Sequence, residues 1–542
     1  THTLPQTDEG FDRLAAMMDM DVADLRSDLH SRLSEVHHLT EGFFAGTGQP
    51  TPKVNPDESA FDSAVLDRWL SYPALRSPRA AELFAELKPG LLSRLSQATK
   101  PAEALLAFDG FLGGLPAGVQ LFSLLKNNPQ LADLLIDIVS TSPALAAHLS
   151  RNAGVFDAVI GGDFFSDWPG EDALTQNLSE VLAAEVDYEA RLDTCRRWAR
   201  EWHFRVGVHH LRGLIDAPTT GAQYADLARA VLRALWPIVI AEFSDRHGPP
   251  PGRGAVLLGM GSLGARRLTA SSDLDMIVIY DSDGVENSDG KRPLASRQYY
   301  ARLTQAMITA MKAPMAHGKL YEVDMRLRPS GNQGPVATSL ASFATYQKEQ
   351  AWVWEHLALT RADPVVGPPE LMQDVSALCE QILRQPRDRF QVLHQVADMR
   401  TRLAAAKATG GVWDAKNGPG GMQDIELLAQ GGALLSGVGA WDIMQGLDAA
   451  AANDVISAQQ SASLKNAYAT YWSLLSATRL LSPTILQRDA LGQAGAGFLA
   501  RTLNCNDLDV LEANLEQTYD QTADIINSSL AAYADNPGKD ER

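Results

Sequence analysis

The sequence predicts a mostly α-helical protein that carries a small inserted α/β core. Segments rich in Leu and Ala with helical spacing recur along the chain, as in 80–95 and 121–139. Strong strand patterns, by contrast, cluster between about 254 and 340. A helix candidate of crossover length, 296–313, lies between the second and third of these strands. The α/β core is therefore expected between two helical regions.

Size, charge and cysteine usage restrict the class of protein. A chain of 542 residues is too long for a single core, which suggests roughly three or four domains. The formal net charge of −19 disfavours a polyanionic partner, so we expect no nucleic acid. The three cysteines lack metal-binding or redox spacing, and no apolar run is long enough to cross a bilayer or to act as a secretory signal. These features predict a cytoplasmic protein without a membrane partner.

Four segments provide the strand candidates of the core. Three give strong strand patterns, 255–260, 274–281 and 319–329, and a fourth, 335–340, gives a weaker one. Beyond about 370 the chain is predicted to be helical again, and a Gly-rich segment, 413–430, opens one of these helices.

The first strand runs into a motif with two interpretations. Gly259, Gly261 and Gly264 match the G-x-G-x-x-G pattern of dinucleotide-binding folds, and Asp281 lies about where such a fold places its ribose-binding acid. A lone match of this kind is weak evidence. Only eight residues separate Gly264 from Asp273, which leaves little room for the helix of a dinucleotide-binding fold. The acidic residues of the segment support a different interpretation.

Three carboxylates follow on neighbouring predicted strands. Asp273 and Asp275 lie two residues apart, so on a strand they point to one face with Leu274 buried behind them. Asp324 lies between apolar neighbours on the next strand. Clustered carboxylates repel one another unless a cation lies between them, and paired hard oxygen ligands suit Mg²⁺. The three are therefore predicted to be catalytic and to hold two Mg²⁺ ions.

A phosphate-binding turn is predicted opposite these carboxylates. Gly261 allows the backbone to approach a phosphate at the start of a short helix, and Ser262 adds a hydroxyl donor. Arg326 and Arg328 alternate with apolar residues after Asp324, so we expect them to share its strand face and to neutralise a triphosphate. Surface ion pairs explain the two arginines equally well.

Two later segments contribute further candidates. Lys416, in the Gly-rich segment, is predicted to reach the triphosphate, while Asp424 or Glu426 could support a metal ion or a base. Acidic residues are also favourable in the first turns of any helix, which explains these two carboxylates without a functional role. The aromatic segment 351–361 is expected to pack under the site, with His356 as a structural histidine.

Taken in order, the Gly-Ser turn, the Asp-Leu-Asp strand and the third Asp resemble the nucleotidyltransferase superfamily to which DNA polymerase β belongs. The resemblance implies a mixed sheet of that fold, flanked here by helical domains. It also implies metal-dependent transfer of a nucleotidyl group from ATP.

Longer segments are similar to one family in particular. "YEVDMRLRPSG", "YQKEQAWVWEHLALTRA" and "GPGGMQDIELLAQ" resemble the glutamine synthetase adenylyltransferase/adenylyl-removing enzymes of bacterial nitrogen control, in their C-terminal adenylyltransferase half. The resemblance implies a multifunctional enzyme family that transfers AMP from ATP to a tyrosine of glutamine synthetase and so inactivates it. It further implies regulation by glutamine and the PII signal protein, with part of their sites expected in 55–250.

The same resemblance sets the expected organisation of the chain. The chain would be a fragment without the adenylyl-removing catalytic domain. Two positions depart from the family pattern: Arg267 stands where a Glu is frequent, and Asn417-Gly418-Pro419 stands where His-Gly-Arg is frequent. The predicted segments are linker helices left from the preceding half (1–50), a helical regulatory region (51–160), a helical lead-in (161–250), the catalytic domain (251–370) and a C-terminal helical bundle (371–542).

Two other functions remain open from the sequence. The same core could transfer a nucleotide to RNA or to a small molecule, although the acidic balance weighs against RNA. Alternatively, the chain could be a non-catalytic regulatory scaffold that binds nucleotide without turnover. The intact set of three carboxylates argues against that second alternative.

Overall fold

The computed structural model describes residues 11, 15, 20–29, 31, 32, 61–98, 100–152, 163–406, 410–439, 442–482 and 484–534. The chain divides into two compact units, one built from 1–97, 101–139 and 149–166 and the other from 98–100, 140–148 and 167–542. Most of the predicted segment 1–50 lies outside the described residues. The predicted domain boundaries stay a prediction.

The first unit is helical. A carboxylate organises its interior: Asp109 is 6% exposed and accepts hydrogen bonds from Arg68 Nε (3.0 Å), Trp69 Nε1 (3.1 Å) and the Tyr72 hydroxyl (2.9 Å). A buried carboxylate is stable only when it is satisfied in this way. The helices of this unit are α1 (Ser63–Arg68), α2 (Pro78–Leu95), α3 (Pro101–Gly114), α4 (Val119–Asn127) and most of α5 (Pro129–Thr141). The next helix, α6 (Pro143–Arg151), belongs largely to the second unit.

Three long helices precede the sheet in the second unit. They are α7 (Gly170–Ala183), α8 (Tyr188–Arg212) and α9 (Ala217–His247). Asp187 and Asp216 cap the starts of α8 and α9 by accepting a backbone N–H three residues on, each at 2.8 Å. Gly213 ends α8 in the left-handed conformation. Apolar faces of all three helices pack into the hydrophobic core that also covers the sheet.

The core of the second unit is a five-stranded mixed sheet. Its order is β3-β2-β1-β5, and β4 also pairs with β2. β1 runs antiparallel to β2 and to β5, while β3 and β4 run parallel to β2. The strands are β1 (Gly254–Gly259), β2 (Leu274–Asp281), β3 (Val323–Asp324), β4 (Ala337–Ser339) and β5 (Asp363–Val366).

Four helices connect these strands. Among them, α11 follows β2 and returns the chain to β3, so the predicted crossover helix is confirmed. The strands predicted at 255–260 and 274–281 are confirmed as well, since long apolar runs buried on both faces give a strong signal. The connecting helices are α10 (Gly261–Gly264), α11 (Ser296–Lys312), α12 (Leu340–Glu349) and α13 (Val353–Leu359).

Two strands differ from the sequence-based expectation. The strand predicted over 319–329 is reduced to Val323–Asp324, because the chain turns directly after Asp324. β5 was not predicted; it is short and contains Pro364, which lacks the N–H that a ladder uses.

Helices form the rest of the second unit, as predicted. A capping box between Ser457 and Gln460 begins α18, and Trp472 on that helix donates its indole N–H to Ala217 O at 2.9 Å. None of the described helices combines the length and the apolar character that a membrane span requires. The helices are α14 (Pro369–Leu383), α15 (Arg389–Ala406), α16 (Met422–Ser436), α17 (Ile443–Ala452), α18 (Ala458–Leu481), α19 (Gln493–Thr502) and α20 (Leu508–Ala534).

Candidate active site

The end of β1 leads into a tight turn against β2. Met260 has extended backbone angles and donates its N–H to the Asp275 carbonyl at 2.9 Å, after which α10 makes a single helical turn. Gly261 has a φ of +52°, and a Cβ atom there would lie 2.5 Å from Asp275 Oδ2. Only glycine therefore fits, and the turn that carries Ser262 lies directly beside the carboxylate of Asp275.

Two of the three predicted carboxylates lie opposite each other on neighbouring strands, and the third lies just before one of these strands. Asp275 is the second residue of β2 and lies opposite Asp324 of the parallel strand β3, while Asp273 precedes β2 and is exposed. Burial, followed by the negative charge of Asp324 and then that of Asp273, raises the pKa of Asp275 to about 6, although Lys416 acts in the opposite direction. The negative charge at this point is thus only partly neutralised by the protein.

Asp324 has a different environment from Asp275. Its carboxylate accepts hydrogen bonds from the Arg326 backbone N–H (2.8 Å) and from Arg326 Nε (2.7 Å). Burial opposes ionisation of Asp324, but these hydrogen bonds and the charge of Arg326 prevail and lower its pKa. Within the described residues, no group of three or more His, Cys, Asp or Glu side chains comes together in metal-binding geometry.

The predicted placement of the two arginines on the strand face is wrong. Because the Asp324 carboxylate accepts the N–H two residues on, it turns the chain and ends β3, so both arginines lie in the following loop. Arg326 pairs with Asp324 and its side chain is 73% exposed. Arg328 donates to Met325 O (2.7 Å) and Gly334 O (3.3 Å), which fixes the loop itself.

Lys416 reaches this site from the C-terminal helical region. It lies in the turn before α16, where its N–H donates to Asp414 Oδ1 (3.3 Å) and its carbonyl accepts from the Gln423 N–H (3.2 Å). Its side chain is exposed, and its positive charge lowers the pKa of both Asp275 and Glu426. The charge of Lys416 therefore acts on Asp275, while its predicted contact with a triphosphate stays a prediction.

The other C-terminal candidates have structural partners. Asp424 accepts from Arg400 Nη2 (2.7 Å) and from the Gly420 N–H (3.0 Å). Glu426 forms an ion pair with Arg361 at 2.9 Å. These contacts explain both carboxylates without a bound metal ion.

His356 is a satisfied structural histidine, as predicted. Nε2 lies 2.9 Å from Gln347 O, and Nδ1 lies 2.9 Å from Arg387 Nη1. Burial, followed by the charge of Arg387, lowers its pKa to about 4, so the imidazole is neutral near pH 7.

Sequence reasoning did not single out Arg361. It lies between α13 and β5, its side chain is 7% exposed, and a Cβ atom on Gly264 of the α10 turn would lie 1.8 Å from its carbonyl oxygen. Its positive charge interacts with Glu426 and with Asp275. In the sequence, the only feature that could have pointed to Arg361 is its position as a lone arginine at the end of the aromatic segment 351–361.

A separate cavity of about 850 Å³ lies beside α7, α9 and β5, and the three carboxylates do not line it. Its charged side chains pair with one another, as in Arg229–Glu171 (2.8 Å) and Arg233–Asp172 (2.6 Å). Since these charges balance within the protein, the cavity gives no indication of a ligand.

Comparison with known proteins supports the resemblance seen in the sequence. Residues 132–377 match the family model of glutamate-ammonia ligase adenylyltransferase, and residues 391–532 match that of GlnD PII-uridylyltransferase. Glutamate-ammonia ligase is glutamine synthetase under its systematic name. The first match contains all three carboxylates and the Gly-Ser turn. Residues 132–377 therefore carry a domain of the glutamate-ammonia ligase adenylyltransferase family.

Relatives in the adenylyltransferase family align over most of the chain. A bifunctional glutamine synthetase adenylyltransferase/adenylyl-removing enzyme of Mesorhizobium japonicum is 38% identical over 96% of this chain and 55% of its own length. The enzyme of the same name from Xanthobacter autotrophicus is 36% identical over 99% of this chain and 57% of its own length. The Brucella suis enzyme is 40% identical over 79% of this chain and 46% of its own length. The chain thus spans about half the length of the curated relatives it matches.

Proposed function

We propose that this chain transfers AMP from ATP to a tyrosine hydroxyl of glutamine synthetase and releases pyrophosphate. The observation that carries the proposal is the partly neutralised Asp275, opposite Asp324 and against the Gly261 turn, inside the segment that matches the adenylyltransferase family. Strongly perturbed carboxylates beside a backbone turn are typical of catalytic sites. The mixed sheet is compatible with a DNA polymerase β-like fold, which is part of the proposal.

The donor set suits a divalent cation. Asp275 is opposed by two other carboxylates, and the missing Cβ of Gly261 leaves space beside its Oδ2. Asp273, Asp275 and Asp324 would hold two Mg²⁺ ions, since hard oxygen donors are the ligands that Mg²⁺ prefers. Bound Mg²⁺ would supply electrostatic stabilisation of the transferring phosphoryl group and of the leaving pyrophosphate.

The protein residues then bind and orient the substrates. The α10 turn at Gly261 and Ser262 approaches the phosphates through its backbone and hydroxyl. Lys416 and Arg326 neutralise the charge of the triphosphate. Arg328 acts through the loop that it fixes.

The reaction exchanges one phosphorus–oxygen bond for another. The tyrosine oxygen forms a bond to the α-phosphorus as the bond from that phosphorus to the bridging oxygen of the β-phosphate breaks. The tyrosine hydroxyl has an ordinary pKa of about 10, so it needs help to lose its proton near pH 7. Asp324 would assist the loss of this proton to solvent, and pyrophosphate leaves.

Regulation by glutamine and by the PII protein is part of the proposal. The match of residues 391–532 to a PII-uridylyltransferase family model supports a link to PII signalling. Inactivation of glutamine synthetase would then follow nitrogen status.

The direct test mixes the chain with ATP, Mg²⁺ and purified glutamine synthetase. We expect one tyrosine peptide of glutamine synthetase to gain the mass of AMP, and pyrophosphate to appear in equal amount. Pyrophosphate release that requires RNA or a small molecule in place of glutamine synthetase would favour the alternative acceptors. Absence of any release with these partners, despite ATP binding, would favour the non-catalytic scaffold.

A further inference from the structure

The backbone of Lys416 is fixed by the helix that follows it. Its N–H donates to the Asp414 carboxylate, and its carbonyl accepts from the N–H of Gln423 in the first turn of α16. The neighbouring Ala415 carbonyl accepts from the Met422 N–H at 2.9 Å. The position of Lys416 is therefore set by the position of the start of α16.

One turn into α16, a charged pair joins this helix to the α/β core. Glu426 lies 2.9 Å from Arg361 Nη2 and accepts a hydrogen bond from the Tyr468 hydroxyl at 3.1 Å. Burial opposes the ionisation of Glu426, but the charges of Arg361 and Lys416 outweigh it and lower its pKa. Both members of the pair are thus charged near pH 7, with side chains 7% and 21% exposed.

Arg361 is in turn attached to the phosphate turn. Its carbonyl oxygen packs so closely on Gly264 that a side chain at Gly264 could not be accommodated, and β5 pairs with β1 two residues later. Its Nη2 lies 2.9 Å from Glu426 Oε1, so attraction to that carboxylate holds the buried guanidinium. The pair therefore links the α10 turn to the helix that positions Lys416.

An ion pair is a costly way to join two buried elements. Removing two charges from water costs free energy, and an apolar pair of similar volume often stabilises a protein as well or better. What the pair adds is a fixed contact between the two segments that match separate family models, 132–377 and 391–532. Arg361 of the pair also interacts electrostatically with Asp275.

We propose that Arg361 and Glu426 are positioning residues, whose ion pair holds Lys416 of the C-terminal helical region in place beside Asp275 and the phosphate turn. The inference rests on the proposed AMP transfer, since it assigns the pair a role in that reaction. The C-terminal helical region then completes the nucleotide site rather than only flanking it.

A comparison of single and double variants of the full chain tests this role. Arg361→Met and Glu426→Gln each leave one buried charge unpaired, so both are expected to lower the melting temperature and to reduce kcat/KM for ATP by about tenfold or more. The double variant R361M/E426Q removes both charges, and it should regain about half or more of the lost melting temperature while kcat/KM stays low. If the pair had only a structural role, kcat/KM would recover together with the melting temperature in the double variant.

Recovery of kcat/KM together with the melting temperature in the double variant would overturn the proposal, as would single variants with unchanged kcat/KM. Asp281→Asn, which breaks the pair with Arg253 at the other end of β2, is the control and should leave kcat/KM unchanged. The wild-type chain measured in parallel separates the two proposals. No AMP transfer by the wild type would refute the proposed function, whereas an active wild type with an equally active double variant would refute only the positioning role.

Discussion

The two ends of strand β2 carry aspartates with opposite environments. Asp281, at the end of the strand, accepts from Arg253 Nη1 at 3.0 Å, and Arg253 also contacts Asp374 at 2.6 Å. Asp275, near its start, faces Asp324 and Asp273 and has a pKa raised to about 6 by burial and by those charges. One strand thus holds a carboxylate that is ion-paired within the protein and another whose negative charge is only partly neutralised, and the second kind is typical of a functional site.

The largest expected effect is a difference in AMP transfer between variants of these two aspartates. Asp275→Asn removes a charge that we assign to the reaction, so the rate of AMP transfer should fall on the order of 10³-fold or more. Asp281→Asn on the same strand is the matched control and should transfer AMP at the wild-type rate. Equal losses in the two variants would show that the comparison reflects folding rather than chemistry.

The same substitution has a predicted effect on stability. The pKa of Asp275 is raised from 3.8 to about 6 in the folded chain, so its ionisation destabilises the folded state by about 2–3 kcal/mol above pH 6, and this cost is absent below about pH 4. Asp275→Asn should therefore stabilise the chain at pH 7.5 and have little effect at pH 4, as measured by urea unfolding without divalent cations. A variant that destabilises the chain at pH 7.5 would contradict the assigned charge imbalance.

A change in the phosphate turn should also act mainly on activity. Gly261→Ala places a methyl group 2.5 Å from Asp275 Oδ2 at a φ of +52°, so the turn must move away from the carboxylate and transfer should fall by about 10²-fold. Gly213→Ala, at a φ of +72° with open space around its Cβ position, is the control. Both should lose about 1–2 kcal/mol of stability from backbone strain, but only the first should lose activity.

Lys416 tests whether charge from the C-terminal helical region matters at Asp275. Lys416→Ala should reduce kcat/KM for ATP by about tenfold, because one positive charge is lost near the carboxylates and the triphosphate. Lys465→Ala, which breaks only the pair with Asp448, should have no such effect. Steady-state pyrophosphate release at varied ATP concentration distinguishes these outcomes.

The smallest expected effect is the loss of stability caused by a substitution of Asp281, at the end of β2. Asp281→Asn should lower the free energy of unfolding by only about 0.5–1 kcal/mol, since Arg253 and Asp281 are both partly exposed to water. Chemical denaturation of the variant and the wild type measures this difference. A loss of several kcal/mol would mean that this ion pair has a greater structural role than its exposure indicates.

Sequence patterns predicted the parts of this fold that depend on repeated local signals. In the apolar runs of β1 and β2 and in the crossover helix between 296 and 312, many consecutive residues favour the same secondary structure. Asp275 lies opposite Asp324 and beside the Gly261 turn, because short strands and a tight turn leave few alternative arrangements. Their catalytic and metal-binding roles remain predictions.

The remaining features depend on single contacts that a linear pattern does not contain. Arg326 and Arg328 lie in a loop and not on the predicted strand, because one hydrogen bond to Asp324 turns the backbone. Arg361 interacts electrostatically with Asp275 because elements distant in sequence pack together. Such contacts are decided by tertiary structure, where local propensity has little influence.

The most direct test of the central assignment uses ATP labelled at the α-phosphate, Mg²⁺ and glutamine synthetase with the wild type, Asp275→Asn and Asp281→Asn chains. We predict label on glutamine synthetase with the wild type and Asp281→Asn, and none above background with a folded Asp275→Asn chain. Undiminished labelling by the folded Asp275→Asn chain would contradict the assignment of this carboxylate to the transfer site.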